Sequence, residues 1–160
     1  MKKLSYVIAV LLLMGSTQGF AQGTQPFQLA LVNPVQIVRE DTSIEGFRIN
    51  ILYGLNANLK GFDLGLGNGI KRDAEGVQWG VANYVQGNGV GWQGSAANFT
   101  IANFTGFQSG FYNHAGKMNG FQLGFVNYAG SLEGLQIGLI NINGAKDPFY
   151  ILPIVNWSFK

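Results

Sequence analysis

Seven glycines, Gly46, Gly61, Gly76, Gly91, Gly106, Gly120 and Gly134, each open a copy of one phrase, at intervals of 15 residues that shorten to 14 for the last two. A fixed period constrains the fold more than any local propensity, because each copy is one structural unit that must bury its apolar surface against its neighbours. Counting the glycine as the first position, the second is always apolar: Phe47, Phe62, Val77, Trp92, Phe107, Phe121 and Leu135. The third is Arg48, then Asp63, then Gln78, Gln93, Gln108, Gln122 and Gln136. The eighth is Tyr53 in the first copy and Asn68, Asn83, Asn98, Asn113, Asn127 and Asn141 in the rest. An earlier stretch, Pro26 to Asn33, fits the phrase with Pro26 and Ala30 in place of two glycines, and Phe149 to Asn156 keeps only the asparagine.

The phrase reads as strand. In Gly120 to Asn127 the apolar Phe121, Leu123 and Phe125 alternate with Gly120, Gln122 and Gly124, a period of two. A helix would carry two or three glycines per copy, each costing about 1 kcal/mol relative to alanine. Between phrases lie turn-like segments such as Lys71-Arg72-Asp73-Ala74-Glu75 and Gly130-Ser131-Leu132-Glu133. The alternation slips late in each copy, where Val126 and Ile140 are apolar and are followed, after the asparagine, by Tyr128 and Ile142. Either both faces are buried there or a bulge shifts the register.

Two closures accommodate such a unit. In an antiparallel, outer-membrane-type β-barrel of about eight strands, the second, fourth and sixth positions would face lipid, and the glycines and glutamines would face a small lumen. In a β-solenoid each copy would be one coil, stacking Gln on Gln and Asn on Asn. Identical phrases fit the coil naturally, since alternate barrel strands would place their asparagines at opposite ends; Arg48 and Asp63 would then be adjacent. The scarcity of charge favours the barrel: from Gly76 to Leu132 the only full charge is Lys117, whereas soluble domains carry about 25% charged residues. The terminal alternation of Ile151, Pro153, Val155, Trp157 and Phe159 also fits a closing barrel strand. The antiparallel barrel is the expectation carried forward, with the solenoid as the alternative.

The chain divides into an exported leader, residues 1–21, an N-terminal segment, 22–45, with one degenerate copy, and a repeat domain, 46–160. Lys2 and Lys3, an apolar run from Tyr6 to Met14 and the small-residue ending at Ala21 have the order of a secretory signal peptide. Without Lys2 and Lys3, eight basic residues balance eight acidic ones. No basic cluster is present for a nucleic acid to bind. The absence of cysteine excludes disulfides, thiolate metal sites and lipid attachment through a cysteine.

The run GFQLGFVNYAG, then GLQIGLINING, then FYILPIVNWSF resembles a bacterial surface-repeat family first defined on leptospiral exported proteins, with GLQIGLxN repeats and a PxxNxSF ending. The resemblance covers Gly46 to Phe159 and implies an exported or outer-membrane protein without an assigned biochemical role.

No residue set points to catalysis, a cofactor or a metal. His114, the only histidine, occupies a slot filled by Tyr or Phe in sister copies. Ser95, Ser109 and Ser131 lack a nucleophile turn. Gly65-Leu66-Gly67-Asn68-Gly69 lacks the Lys-Ser/Thr of a phosphate loop. The expected role is therefore structural, at the outer membrane or cell surface, with membrane lipid as partner and no enzymatic activity; the alternative is a secreted solenoid that binds through a Gln/Asn-rich face. The candidate residues are Gln78, Gln93, Gln108, Gln122, Gln136, Asn83, Asn98, Asn113, Asn127 and Asn141, as lumen lining or as ladders, with Arg48 and Asp63 as a possible buried pair.

Overall fold

The computed structural model describes residues 23–159, so the leader reading lies outside the described residues. The described chain is all-β and winds as a β-solenoid of about six turns, with no helix among the described residues. Its strands are β1 Gln25–Val32, β2 Val35–Gln36, β3 Ile44–Asn56, β4 Leu59–Ile70, β5 Ala74–Val85, β6 Gly89–Gly94, β7 Ala97–Asn143 and β8 Ile151–Ser158. The antiparallel barrel is thus corrected to a parallel coil. Neighbouring repeats pair in parallel and in register: Gly46 beside Gly61, Gly61 beside Gly76, Gly76 beside Gly91 and Gly91 beside Gly106. Equivalent residues therefore sit above one another at one spacing of about 4.8 Å. This is the arrangement in which an unchanged phrase meets an unchanged environment, and it removes the need for hairpins.

Each turn has two arms joined at a corner. In the first arm the glycine and the third and fifth residues point inward, while the second, fourth and sixth point outward. After the corner, the eighth and tenth point inward. The slip in alternation is this corner, where two successive residues such as Phe125 and Val126 both face outward. On the opposite edge the chain bends at Lys71–Asp73, as expected, whereas Gly130–Glu133, expected as a turn, continues as strand within β7. β5 illustrates the two arms: Ala74 to Trp79 pairs with β6, and Ala82 to Val85 pairs with the start of β7.

The first glycine of each phrase is required twice over. All seven have φ between +122° and +146°, and a Cβ added at Gly61, Gly76, Gly91, Gly106, Gly120 or Gly134 would fall on the carbonyl oxygen of the corresponding glycine one turn below. Pro26 can stand at this position in the earliest copy because β1 is the first full rung. That copy, without a place in a barrel, pairs in parallel with β3 along Phe27 to Ala30.

Both ends are closed. The short β2 folds back antiparallel on β1, and Val38 packs on the buried cluster of Ile44, Leu59, Ile70, Ala74 and Val85. At the other end β8 runs antiparallel along the last rung. Pro153 lies where that pairing shifts, between Gly138 and Asn141, so no ladder bond is lost to it. A second apolar cluster, Phe104, Ala115, Met118, Ala129 and Leu132, fills the coil in its later turns. Both clusters lie toward the turn edge; the rest of the interior is polar.

Candidate functional site

The glutamines form one continuous column. Gln136 Nε2 donates to Gln122 Oε1 at 2.7 Å, Gln122 to Gln108 at 2.7 Å, Gln108 to Gln93 at 2.7 Å and Gln93 to Gln78 at 2.8 Å. Each later glutamine spends its other N–H on the second arm of its own turn: Gln108 on the His114 carbonyl, Gln122 on that of Tyr128 and Gln136 on that of Ile142. The asparagines form a second column with the opposite sense. Asn68 donates to Asn83 at 2.8 Å, Asn83 to Asn98 and Asn98 to Asn113 at 2.9 Å, then Asn113 to Asn127 and Asn127 to Asn141 at 2.8 Å. The amides of Asn68, Asn98, Asn113 and Asn127 also reach carbonyls of the next turn's first arm, as with Asn113 to Leu123 and Asn127 to Ile137, whereas Asn83 reaches the Gln78 carbonyl of its own turn. The two columns therefore cross-link the arms within and between turns.

Both columns begin at Asp63. Arg48 Nε donates to Asp63 Oδ1 at 2.9 Å, and both side chains are fully buried. The rest of the guanidinium is spent on the carbonyls of Gly69 and Gly54 and on Asn56. An ionised carboxylate can only accept, so Gln78 must turn its N–H toward Asp63 Oδ2, at 2.9 Å, which fixes the direction of every glutamine above it. Asn50 likewise donates to Asp63 Oδ1 and to Asn68 Oδ1, which orients the asparagine column the other way. Among the described residues the buried side-chain acceptors left without a donor are Asn50 Oδ1 and Gln136 Oε1, at the column ends. Burial pushes the Asp63 carboxyl above the ordinary aspartate value, with Arg48, Gln78 and Asn50 pulling it down.

The predicted residues thus divide cleanly in place. Gln78, Gln93, Gln108, Gln122, Gln136, Asn83, Asn98, Asn113, Asn127 and Asn141 are all buried, and with Arg48 and Asp63 they share one interior. The lumen-lining reading and the Gln/Asn-rich binding face are both corrected: the two arms pack against each other, and no solute reaches amides that already bond one another. Asn50 was missed, because it stands at a glycine slot. The first turn shifts register between Asn50 and Tyr53, so Asn50 supplies the amide that Tyr53 lacks. Also missed was a third ladder on the turn edge, where Asp73 accepts from Asn88 and Asn88 accepts from Asn103. Its signal was the recurrence of Asn58, Asp73, Asn88 and Asn103 at intervals of 15.

The outer surface has the polarity usually found inside. Phe47 is 60% exposed, Phe111 60% and Leu139 61%, and aromatic rings stack up the outside from turn to turn, Phe107 on Phe121 at 5.2 Å and Phe111 on Phe125 at 4.6 Å. Trp92 lies over Gly94 and donates its indole N–H to Ser109. His114 stacks on Tyr128 at 4.9 Å, and partial burial lowers its pKa from the ordinary value. Apart from the buried pair of Arg48 and Asp63, charge lies on the turn edge and its flanks, at Glu45, Lys60, Lys71, Arg72, Asp73, Glu75, Lys117 and Glu133, and in the two end segments, at Arg39, Glu40, Asp41, Lys146 and Asp147.

Among the described residues no three His, Cys, Asp or Glu side chains come together as a metal set, and His114 packs its ring between those of Phe99 and Tyr128. The arrangement can hold a rigid surface of fixed spacing. Comparison with protein-family models, curated proteins and solved structures returns no match.

Proposed function

We propose that this chain is an exported protein of the outer membrane or cell surface whose role is structural, without catalysis, and whose partner is membrane lipid. One observation carries the reading: the coil buries its ladder amides and exposes many of its large apolar side chains, among them Phe47, Phe62, Leu64, Trp79, Phe111 and Leu139. Large contiguous apolar surfaces on folded chains mark interaction sites. A surface that repeats with the coil, turn after turn, suits an extended apolar phase better than a single pocketed ligand. The leader-like residues 1–21 and the resemblance to exported surface-repeat proteins agree with this reading.

The test is fractionation of the cells that produce the protein, followed by extraction of the membrane fraction with high salt and with detergent. The reading expects the protein in the outer-membrane fraction, resistant to salt and released by detergent. Recovery from the cytoplasm, or from the medium as a detergent-independent soluble protein, would overturn it.

A further inference from the structure

Resting on the lipid reading, we infer that the solenoid lies lengthwise in one leaflet, its axis in the membrane plane, with the corner between the two arms as the inserted edge. The corner is the part of the coil farthest from charge. It carries Leu66, Val81, Phe111, Phe125 and Leu139 at the sixth position, each more than half exposed. From the second position to the corner is four residues, about 13 Å at 3.3 Å each. One leaflet of hydrocarbon is about 15 Å deep, half of a 30 Å core. The apolar sector therefore fills a leaflet without reaching the far side.

Upright insertion is excluded by the turn edge. The β1 rung and the seven phrases above it rise through seven steps, roughly 34 Å at 4.8 Å each, which is long enough to cross. Crossing would submerge Lys60, Lys71, Arg72 and Lys117 along the whole stack, and each charge in hydrocarbon costs a few kcal/mol or more. Laid flat, the same residues sit at headgroup level on both flanks of the apolar sector.

The charge pattern further specifies the lipid. The flanking charges are mixed and locally paired, Lys60 with Glu45 at 4.0 Å and Lys117 with Glu133 at 3.5 Å. Along the turn edge from Glu45 to Asp147, the basic Lys60, Lys71, Arg72, Lys117 and Lys146 balance the acidic Glu45, Asp73, Glu75, Glu133 and Asp147. Such an edge matches zwitterionic headgroups and gives no net attraction to an anionic surface. A second copy fits less well as the occupant, because two apolar corners are convex and meet only along a line.

The chain has no cysteine, so single cysteines at exposed sites can carry a nitroxide. The variants are Phe125→Cys and Leu139→Cys at the corner and Glu75→Cys and Lys117→Cys on the turn edge, each in the full chain with phosphatidylcholine vesicles. Flotation reads binding, and collision with oxygen or a water-soluble nickel chelate reads depth. The expected result is flotation that changes less than about twofold between low and high salt, with corner labels open to oxygen and shielded from nickel and turn-edge labels the reverse. Leu139→Lys, at an already exposed site, should weaken binding at least about tenfold. Failure to float would overturn the lipid reading and this inference together. Flotation with turn-edge labels buried as deeply as corner labels would overturn the orientation alone, as would flotation that requires anionic lipid. Corner labels shielded in water, in proportion to protein concentration, would assign the sector to a second copy and overturn the inference.

Discussion

At the scale of single residues, Asp63 decides more than its own pair. Because it only accepts, it sets the sense of both amide columns, and Arg48 supplies the charge that lets it stay ionised in the interior. Removing one member of a buried pair strands the other, at about 3–5 kcal/mol. Arg48→Gln and Asp63→Gln singly should each cost that much in chemical denaturation, while the double variant extends the glutamine column by two rungs and recovers most of the loss. Equal, additive losses would mean that the pair does not act as a unit. Position along the column matters as well. Gln122→Leu leaves a donor and an acceptor of its neighbours unmatched, whereas Gln136→Leu removes a residue whose Oε1 already has no donor. Gln122→Leu should be the more damaging by about 1–3 kcal/mol in the same assay. His114 adds a pH dependence. Its folded pKa is lowered by burial from 6.5, so as pH falls the unfolded chain takes the proton first. Stability should be full above about 6.5 and decline as pH drops through the window below it. His114→Phe should flatten that part of the melting-temperature profile.

At the scale of the coil, the glycines are the feature that made the repeat legible and also the one most easily misread. Gly106 and its counterparts announce a fixed period in the sequence, but the period alone suits up-and-down strands and stacked turns equally. What separates the two is the backbone: a φ near +130° at Gly106, with the Gly91 carbonyl occupying the space a side chain would need. That contact exists only between parallel neighbours, and no composition or alternation reveals it. Gly106→Ala should therefore cost about 3 kcal/mol or more, from backbone strain and the displaced rung together. Circular dichroism melts would check it against Gly94→Ala, whose φ is unexceptional and whose added Cβ would meet nothing nearer than the Trp92 ring, at 3.4 Å. The pairing of Arg48 with Asp63 was readable as a consequence of stacking, and so was the Gln column. Asn50 was not, because its amide enters the column only through the shifted register beside Tyr53. The turn-edge ladder through Asp73 and Asn88 was present in the spacing but was absorbed into the description of those residues as a polar turn.

At the scale of the whole molecule, the scarcity of charge favours the barrel in the sequence, and the chain is instead a parallel coil. Phe47, Phe111 and Leu139 face outward in either closure, so the outward rows could not distinguish them. The inward rows could, since a barrel would wet its glutamines and asparagines and the coil seals them. The coil also explains how a chain with little apolar core holds together: its interior stability comes from amides that satisfy each other rung by rung, and its exterior is free to be apolar. The most direct test of this inverted polarity is hydrogen exchange of the side-chain amides, followed by NMR on the protein held in zwitterionic micelles. The account predicts slow exchange for Gln108, Gln122, Asn113 and Asn127, with cross-peaks linking Gln108 to Gln122 and Asn113 to Asn127. Fast exchange of these four amides, with no contact between the members of either pair, would contradict it.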